Sequence, residues 1–320
     1  MEILLVAMTV AFAFVSGAND GATLSALGTR TGALSILAGV SLLVLAVGAV
    51  PAVVGTGVAT TLAHGLVAFE DRGGRLAFLL AVASALAVVF LLSRRGLPTS
   101  VTLSLTGAIV GVGAGAGLPV SWTTVGPVLA AGLLGPFLVF GVGFLLAPGV
   151  RRALGRPAAA EARPRLLQQL GFLLQSVAYG ANDAEKMVAF MAIATGASLD
   201  PVHVLALDQA ALAACFGAGA LFAVRRLSSR VTEQMVRVRN EGSLSALVAS
   251  SSVVLAGSAL GLPLSSTQSV TAGLLGGTGR LTPHRIRPQQ VGALLLAWAL
   301  TLPSAGLLAA LCGLVVRAVR

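Results

Sequence analysis

The chain has 320 residues, of which 56% are hydrophobic and 10% charged, with 39 glycines and a net charge of +10. Ordinary soluble domains carry about 25% charged residues, and a mean hydropathy of +0.94 belongs to a chain whose main solvent is lipid. A soluble two-domain enzyme, a secreted disulfide scaffold and a disordered chain are excluded, which leaves an all-α, polytopic membrane protein.

The N-terminus, Met1-Glu2-Ile3, has no basic region of the kind that precedes a cleavable signal. Apolar segments follow at roughly 3–29, 34–62, 75–93, 99–118 and 122–147. A bilayer-spanning helix needs about 20 apolar residues, so most of these can cross once. An arginine-rich connection runs from Pro148 to Arg165, and a second set of segments lies at roughly 166–197, 202–225, 243–262, 264–280 and 289–316. Segments 4 and 9 are short and glycine-rich, and could be re-entrant. The expected organisation is a first membrane repeat (1–147), a cytoplasmic linker (148–165) and a second membrane repeat (166–320). Arg225 to Glu241 alternates charged and apolar residues and reads as an amphipathic cytoplasmic helix.

The two sets repeat each other. Gly17-Ala18-Asn19-Asp20 recurs as Gly180-Ala181-Asn182-Asp183. Gly96-Leu97-Pro98-Thr99-Ser100 recurs as Gly261-Leu262-Pro263-Leu264-Ser265, and Thr106-Gly107-Ala108 as Thr271-Ala272-Gly273. Three matches in the same order, offset by 163, 165 and 165 residues, indicate duplication. Five segments per half is an odd number, so the second half should be inverted. With ten crossings and Met1 outside, 16 arginines fall inside against four outside; hairpins at segments 4 and 9 would give 14 against six. The positive-inside rule favours the inverted arrangement, a common architecture of secondary transporters with a midplane site. The same distribution of arginines in short gaps argues against a nucleic-acid surface.

Asn19-Asp20 and Asn182-Asp183 interrupt segments 1 and 6. A charge at mid-bilayer costs about 2.5–3.5 kcal/mol on insertion scales, so a duplicated intramembrane aspartate points to a site, although capping of a broken helix is the plainer alternative. The breaks are expected to start half-helices at Gly21 and Ala184, each presenting free N–H groups and a positive dipole end. Pro98-Thr99-Ser100-Val101-Thr102 and Pro263-Leu264-Ser265-Ser266-Thr267 are expected to do the same. Asn19, Asp20, Ser100, Thr102, Asn182, Asp183, Ser265, Ser266 and Thr267 are therefore the candidate ligands of a small oxyanion. Asp20 and Asp183 would repel that anion unless a proton or metal cation, such as Na⁺, sits beside them. Glu185 is a further candidate for the coupling cation, and Glu185 and Lys186 could equally make structural ion pairs. Gln209 and Asp208 read as inter-helix contacts, Cys215 and Cys312 as small hydrophobes, and His64, His203 and His284 as interfacial residues without metal spacing. No cofactor is expected, and no catalytic constellation or nucleotide-binding loop suggests an enzyme.

At these residues the chain resembles the PiT family of inorganic phosphate transporters, whose hallmark is a duplicated Gly-Ala-Asn-Asp motif paired with a duplicated Pro-x-Ser-Thr-Thr element. Pro263 to Gln268 matches that element well; in the first copy Val101 replaces a hydroxyl and Leu103 a polar residue. Ala184-Glu185-Lys186 is close to the Asp-Ala-Gln-Lys of bacterial members, with Glu185 departing, and Thr23 stands where asparagine is usual. The resemblance implies a cell-membrane symporter importing phosphate with H⁺ or Na⁺ by alternating access, often as a homodimer. A sulfate permease of the same fold and a passive anion channel are the alternatives.

Overall fold

In the computed structural model, residues 1–69, 72–95, 99–155, 162–197, 199, 207–227 and 239–319 are described. The Gly96 to Pro98 stretch, His203, and much of both expected cytoplasmic connections (156–161 and 228–238) lie outside the described residues. The chain runs through α1 (Glu2–Ser16), α2 (Ala22–Arg30), α3 (Ile36–Val54), α4 (Gly57–Thr60), α5 (Arg72–Arg94), α6 (Val101–Ala116) and α7 (Trp122–Leu154). It continues through α8 (Ala162–Tyr179), α9 (Glu185–Thr195), α10 (Leu207–Leu227), α11 (Asn240–Ala259), α12 (Ser266–Leu281) and α13 (Pro288–Val319). Single π-helical turns sit at Gly17–Gly21, Thr61–Gly65 and Gly180–Ala184. Among the described residues, six helices are long and apolar enough to cross a membrane.

The duplication is visible in the helix ends. Ser100 and Ser265, 165 residues apart, both adopt extended backbone and cap the helix that follows. Ser100 Oγ accepts from the Leu103 N–H and Ser265 Oγ from the Gln268 N–H. Each helix they start, α6 and α12, has 16 residues, or about 24 Å at 1.5 Å per residue. That is shorter than the ~30 Å hydrocarbon core, in line with the short, glycine-rich segments 4 and 9. The two π turns at 17–21 and 180–184 are likewise 163 residues apart.

Packing also exchanges between halves. α6 lies on α13 while α12 lies on α7, and α3 packs on the 180–184 turn while α10 packs on the 17–21 turn. Along α6, Gly107, Gly111 and Gly115 meet Leu302, Gly306 and Ala310 in the same order, so the two helices run parallel. This is small-residue packing at four-residue spacing, which lets backbones touch where no hydrophobic effect drives helices together. The counterparts α3 and α10 meet in the opposite sense, Gly48 against Ala213 and Gly217 against Val44. Gln209 Nε2 donates to the Val47 carbonyl at 2.6 Å across that contact, the inter-helix role anticipated for it. Cys215 and Cys312 are free and half-buried.

A Cβ on Gly111 would lie 2.1 Å from the Gly306 carbonyl oxygen, and one on Gly276 the same distance from that of Phe140. Because the obstacle is backbone, Gly111→Val should cost more than the about 1–3 kcal/mol of ordinary overpacking. Gly126 in α7 has open space around it, so Gly126→Val should leave the melting temperature in detergent unchanged while Gly111→Val lowers it sharply.

Candidate functional site

The chain does not break at the duplicated motifs. Gly17, Gly21 and Ala22 all hold right-handed helical φ/ψ, and α1 continues into α2 through one widened turn. Ala184 and Glu185 are helical in the same way, joining α8 to α9. The expected half-helices at Gly21 and Ala184 are therefore corrected: a π turn absorbs one extra residue without opening the helix, so no free N-terminus forms there. Neither Asn19 nor Asn182 is a cap. π turns instead displace side chains from the regular stripe, a device frequent at functional sites.

The two free N-termini that do converge are those of α6 and α12. The Thr102 hydroxyl, in the first turn of α6, donates to the carbonyl of Leu264, just before the Ser265 cap of α12, at 3.2 Å. Both helices thus aim a positive dipole end and first-turn hydroxyls at one place.

The second motif stands against that junction. Asn182, fully buried, donates through Nδ2 to Ser258 Oγ (3.1 Å) and to the Leu262 carbonyl (3.2 Å), while its Oδ1 accepts from the Leu264 N–H (3.2 Å). Asp183 accepts a short hydrogen bond from the Ser266 hydroxyl at Oδ2. At Oδ1 it accepts from Lys186 Nζ at 2.5 Å. The same ammonium donates to Thr102 Oγ1 at 2.6 Å and to the Leu264 carbonyl at 3.0 Å. Lys186 is 1% exposed and Asp183 4%, so this is an ion pair out of contact with solvent.

The first motif faces the same cluster. Asp20, 4% exposed, accepts from Asn19 Nδ2 at 2.8 Å. It lies within electrostatic reach of Asp183 and Lys186 and beside Thr267, whose hydroxyl shares a hydrogen bond with Ser265 at 3.3 Å. The buried Tyr179 hydroxyl faces Asp20 without a hydrogen bond of ordinary geometry. Gln268, in the first turn of α12, and Gln175 and Ser250, on the adjoining α8 and α11, are also buried without partners. All nine candidate anion ligands therefore belong to the two π turns and the two capped helix starts. An open cleft lies apart from them, between the ends of α7 and α12 and the start of α11, lined by Arg151, Arg239 and Thr278.

Glu185 reaches across to the first half. Its Oε2 accepts from the backbone N–H groups of Val58 (2.7 Å) and Ala59 (3.0 Å). It anchors the start of α4 in the first half, a tie between the two halves. Lys186 is the residue that sequence reasoning undervalued. The available signal was its three-residue spacing from Asp183, which puts both on one helix face.

A family model described as the phosphate transporter family matches the chain twice, over residues 16–164 and 155–309. A probable low-affinity inorganic phosphate transporter of Bacillus subtilis (strain 168) is 27% identical over 326 residues, covering 97% of this chain and 96% of the relative. One of the same description from Mycobacterium tuberculosis (strain ATCC 25618 / H37Rv) is 30% identical, covering 96% and 76%. Among solved structures, the sodium-dependent phosphate transporter superposes with a TM-score of 0.78 at 18% identity, covering 100% of this chain and 99% of the other. That degree of identity speaks for the fold alone.

Proposed function

We propose that this chain, which belongs to the phosphate transporter family and is a multi-pass integral membrane protein, carries inorganic phosphate across the cell membrane together with a monovalent cation, H⁺ or Na⁺. The observation that carries the reading is the meeting of two capped helix N-termini with two buried aspartates, one motif from each half. Helix starts and hydroxyls supply donors to a small oxyanion. Carboxylates in the same low-dielectric space oppose it unless a cation is present, and that opposition links the two ions.

The halves are read as inverted repeats that rock about this cluster. The antiparallel meeting of the counterparts α3 and α10, and the reciprocal packing of α6 on α13 and α12 on α7, support an axis in the membrane plane. Asn182, Asp183, Ser266 and, from the first half, Thr102 gather at the second motif; Asn19, Asp20 and, from the second half, Thr267 gather at the first, and Ser100 and Ser265 set the helix starts. The unpaired Gln268, Gln175 and Ser250 support a polar ligand, since buried polar groups rarely go unsatisfied.

Uptake of labelled phosphate into proteoliposomes, with an imposed proton or sodium gradient, tests this. Accumulation above the external concentration, driven by one gradient and competed by phosphate but not sulfate, is expected. Equilibration without accumulation would indicate a channel, and competition by sulfate a sulfate permease.

A further inference from the structure

The two motifs are equivalent in sequence position but not in charge. Lys186, counted back by the 163-residue offset of the motifs, corresponds to Thr23. Thr23 spends its hydroxyl on the Asn19 carbonyl of its own helix, at 2.7 Å. Asp183 thus has a fixed cation from its own half, whereas the carboxylate of Asp20 accepts from an amide, Asn19. Lys186 has three ammonium protons, and three oxygens meet them: the carboxylate of Asp183, the hydroxyl of Thr102 and the carbonyl of Leu264. Carboxylate, hydroxyl and backbone carbonyl are the hard donors with which transporter sites hold a coupling ion.

We propose that the Lys186 ammonium is a built-in substitute for one coupling cation at Asp183, leaving Asp20 as the seat of the single exchangeable cation that accompanies each anion. This rests on the transport reading above. Its chemistry follows from charge alone. Asp20 and Asp183 bring two negative charges to the cluster, and Lys186 cancels one; the third buried carboxylate, Glu185, is held by the Val58 and Ala59 N–H groups at the start of α4. One further positive charge, H⁺ or Na⁺, removes the remainder before an oxyanion enters. The alternative, in which Lys186 contacts the anion directly, would require the ammonium to leave three partners at 2.5–3.0 Å.

The experiment measures phosphate binding and uptake by the full-length chain in proteoliposomes. Sodium is titrated against choline at fixed pH, and pH is titrated at fixed sodium, to identify the ion. In the wild type the dependence on that ion should be non-cooperative, with a Hill coefficient of about one, because a Hill coefficient cannot exceed the number of sites. Lys186→Gln should raise it towards about two, with phosphate binding preserved at saturating cation and a new stabilisation of the protein by that cation in thermal melts. The reciprocal variant, Thr23→Lys, should bind phosphate without any added cation. It also decides the matter if Lys186→Gln does not fold. Unchanged cation dependence in both variants, or loss of phosphate binding by folded Lys186→Gln at every cation concentration, overturns the proposal. Failure of the wild type to bind phosphate would instead count against the transport reading itself.

Discussion

Asp183→Asn should destabilise the protein severely, and a second substitution, Lys186→Met, should restore much of the loss. The asparagine keeps the shape of the side chain and an acceptor for the Ser266 hydroxyl, but it removes the charge that faces Lys186 at 2.5 Å. A buried ion pair broken on one side leaves an uncompensated charge, which costs about 3–5 kcal/mol. The whole cluster is exposed to that cost, because Lys186 also holds Thr102 of α6 and the carbonyl before α12. Replacing both partners by neutral groups removes the charge together with its need for solvation, and such replacements are often neutral or better. Thermal unfolding in detergent of the two single variants and the double variant gives a mutant cycle. A coupling energy well above about 0.5 kcal/mol, the limit expected of independent sites, is the expected result. Additive single losses would mean that the two charges are solvated separately.

Much of this arrangement is legible in the sequence, for reasons that differ from residue to residue. The duplicated Gly-Ala-Asn-Asp motifs, at a near-constant offset from the proline-led elements, locate both sides of the cluster. The helix starts at the proline-led elements are legible too, but Ser100 and Ser265 act as their caps, and Pro263 lies ahead of the cap rather than in the first turn. The continuity of the helices at Gly17–Gly21 and Gly180–Ala184 is not legible. Glycine, asparagine and aspartate favour both a break and a π turn, and the choice rests on packing against α10 and α3. Close contacts make that packing possible: a Cβ on Gly17 would lie 1.9 Å from the Phe216 carbonyl oxygen. Glu185 is illegible for another reason. Its two backbone partners lie 126 and 127 residues away in α4, and no local pattern announces a contact of that span.

Asp20→Asn should abolish gradient-driven accumulation while leaving the folded protein and much of its anion binding intact. Asp20 is bonded by Asn19 and lacks the direct lysine contact that Asp183 has, so its neutralisation strands no partner charge. Stability should change by far less than in Asp183→Asn, and this contrast between equivalent positions follows from Thr23 standing where the second half has Lys186. What the substitution removes is the negative charge that makes anion entry conditional on a cation. Coupling between two ligands is typically about 1–3 kcal/mol, or about 5–150-fold in affinity, and linkage requires it to act equally in both directions. In Asp20→Asn the factor by which the coupling cation raises phosphate affinity should fall to about one, with affinity without cation equal to or higher than in the wild type. Equilibrium binding and uptake, measured on the same membranes with and without the imposed gradient, separate the two effects. If Asp20→Asn accumulates phosphate with the gradient dependence of the wild type, its carboxylate does not hold the coupling ion, and the link between cation and anion must reside elsewhere in the cluster.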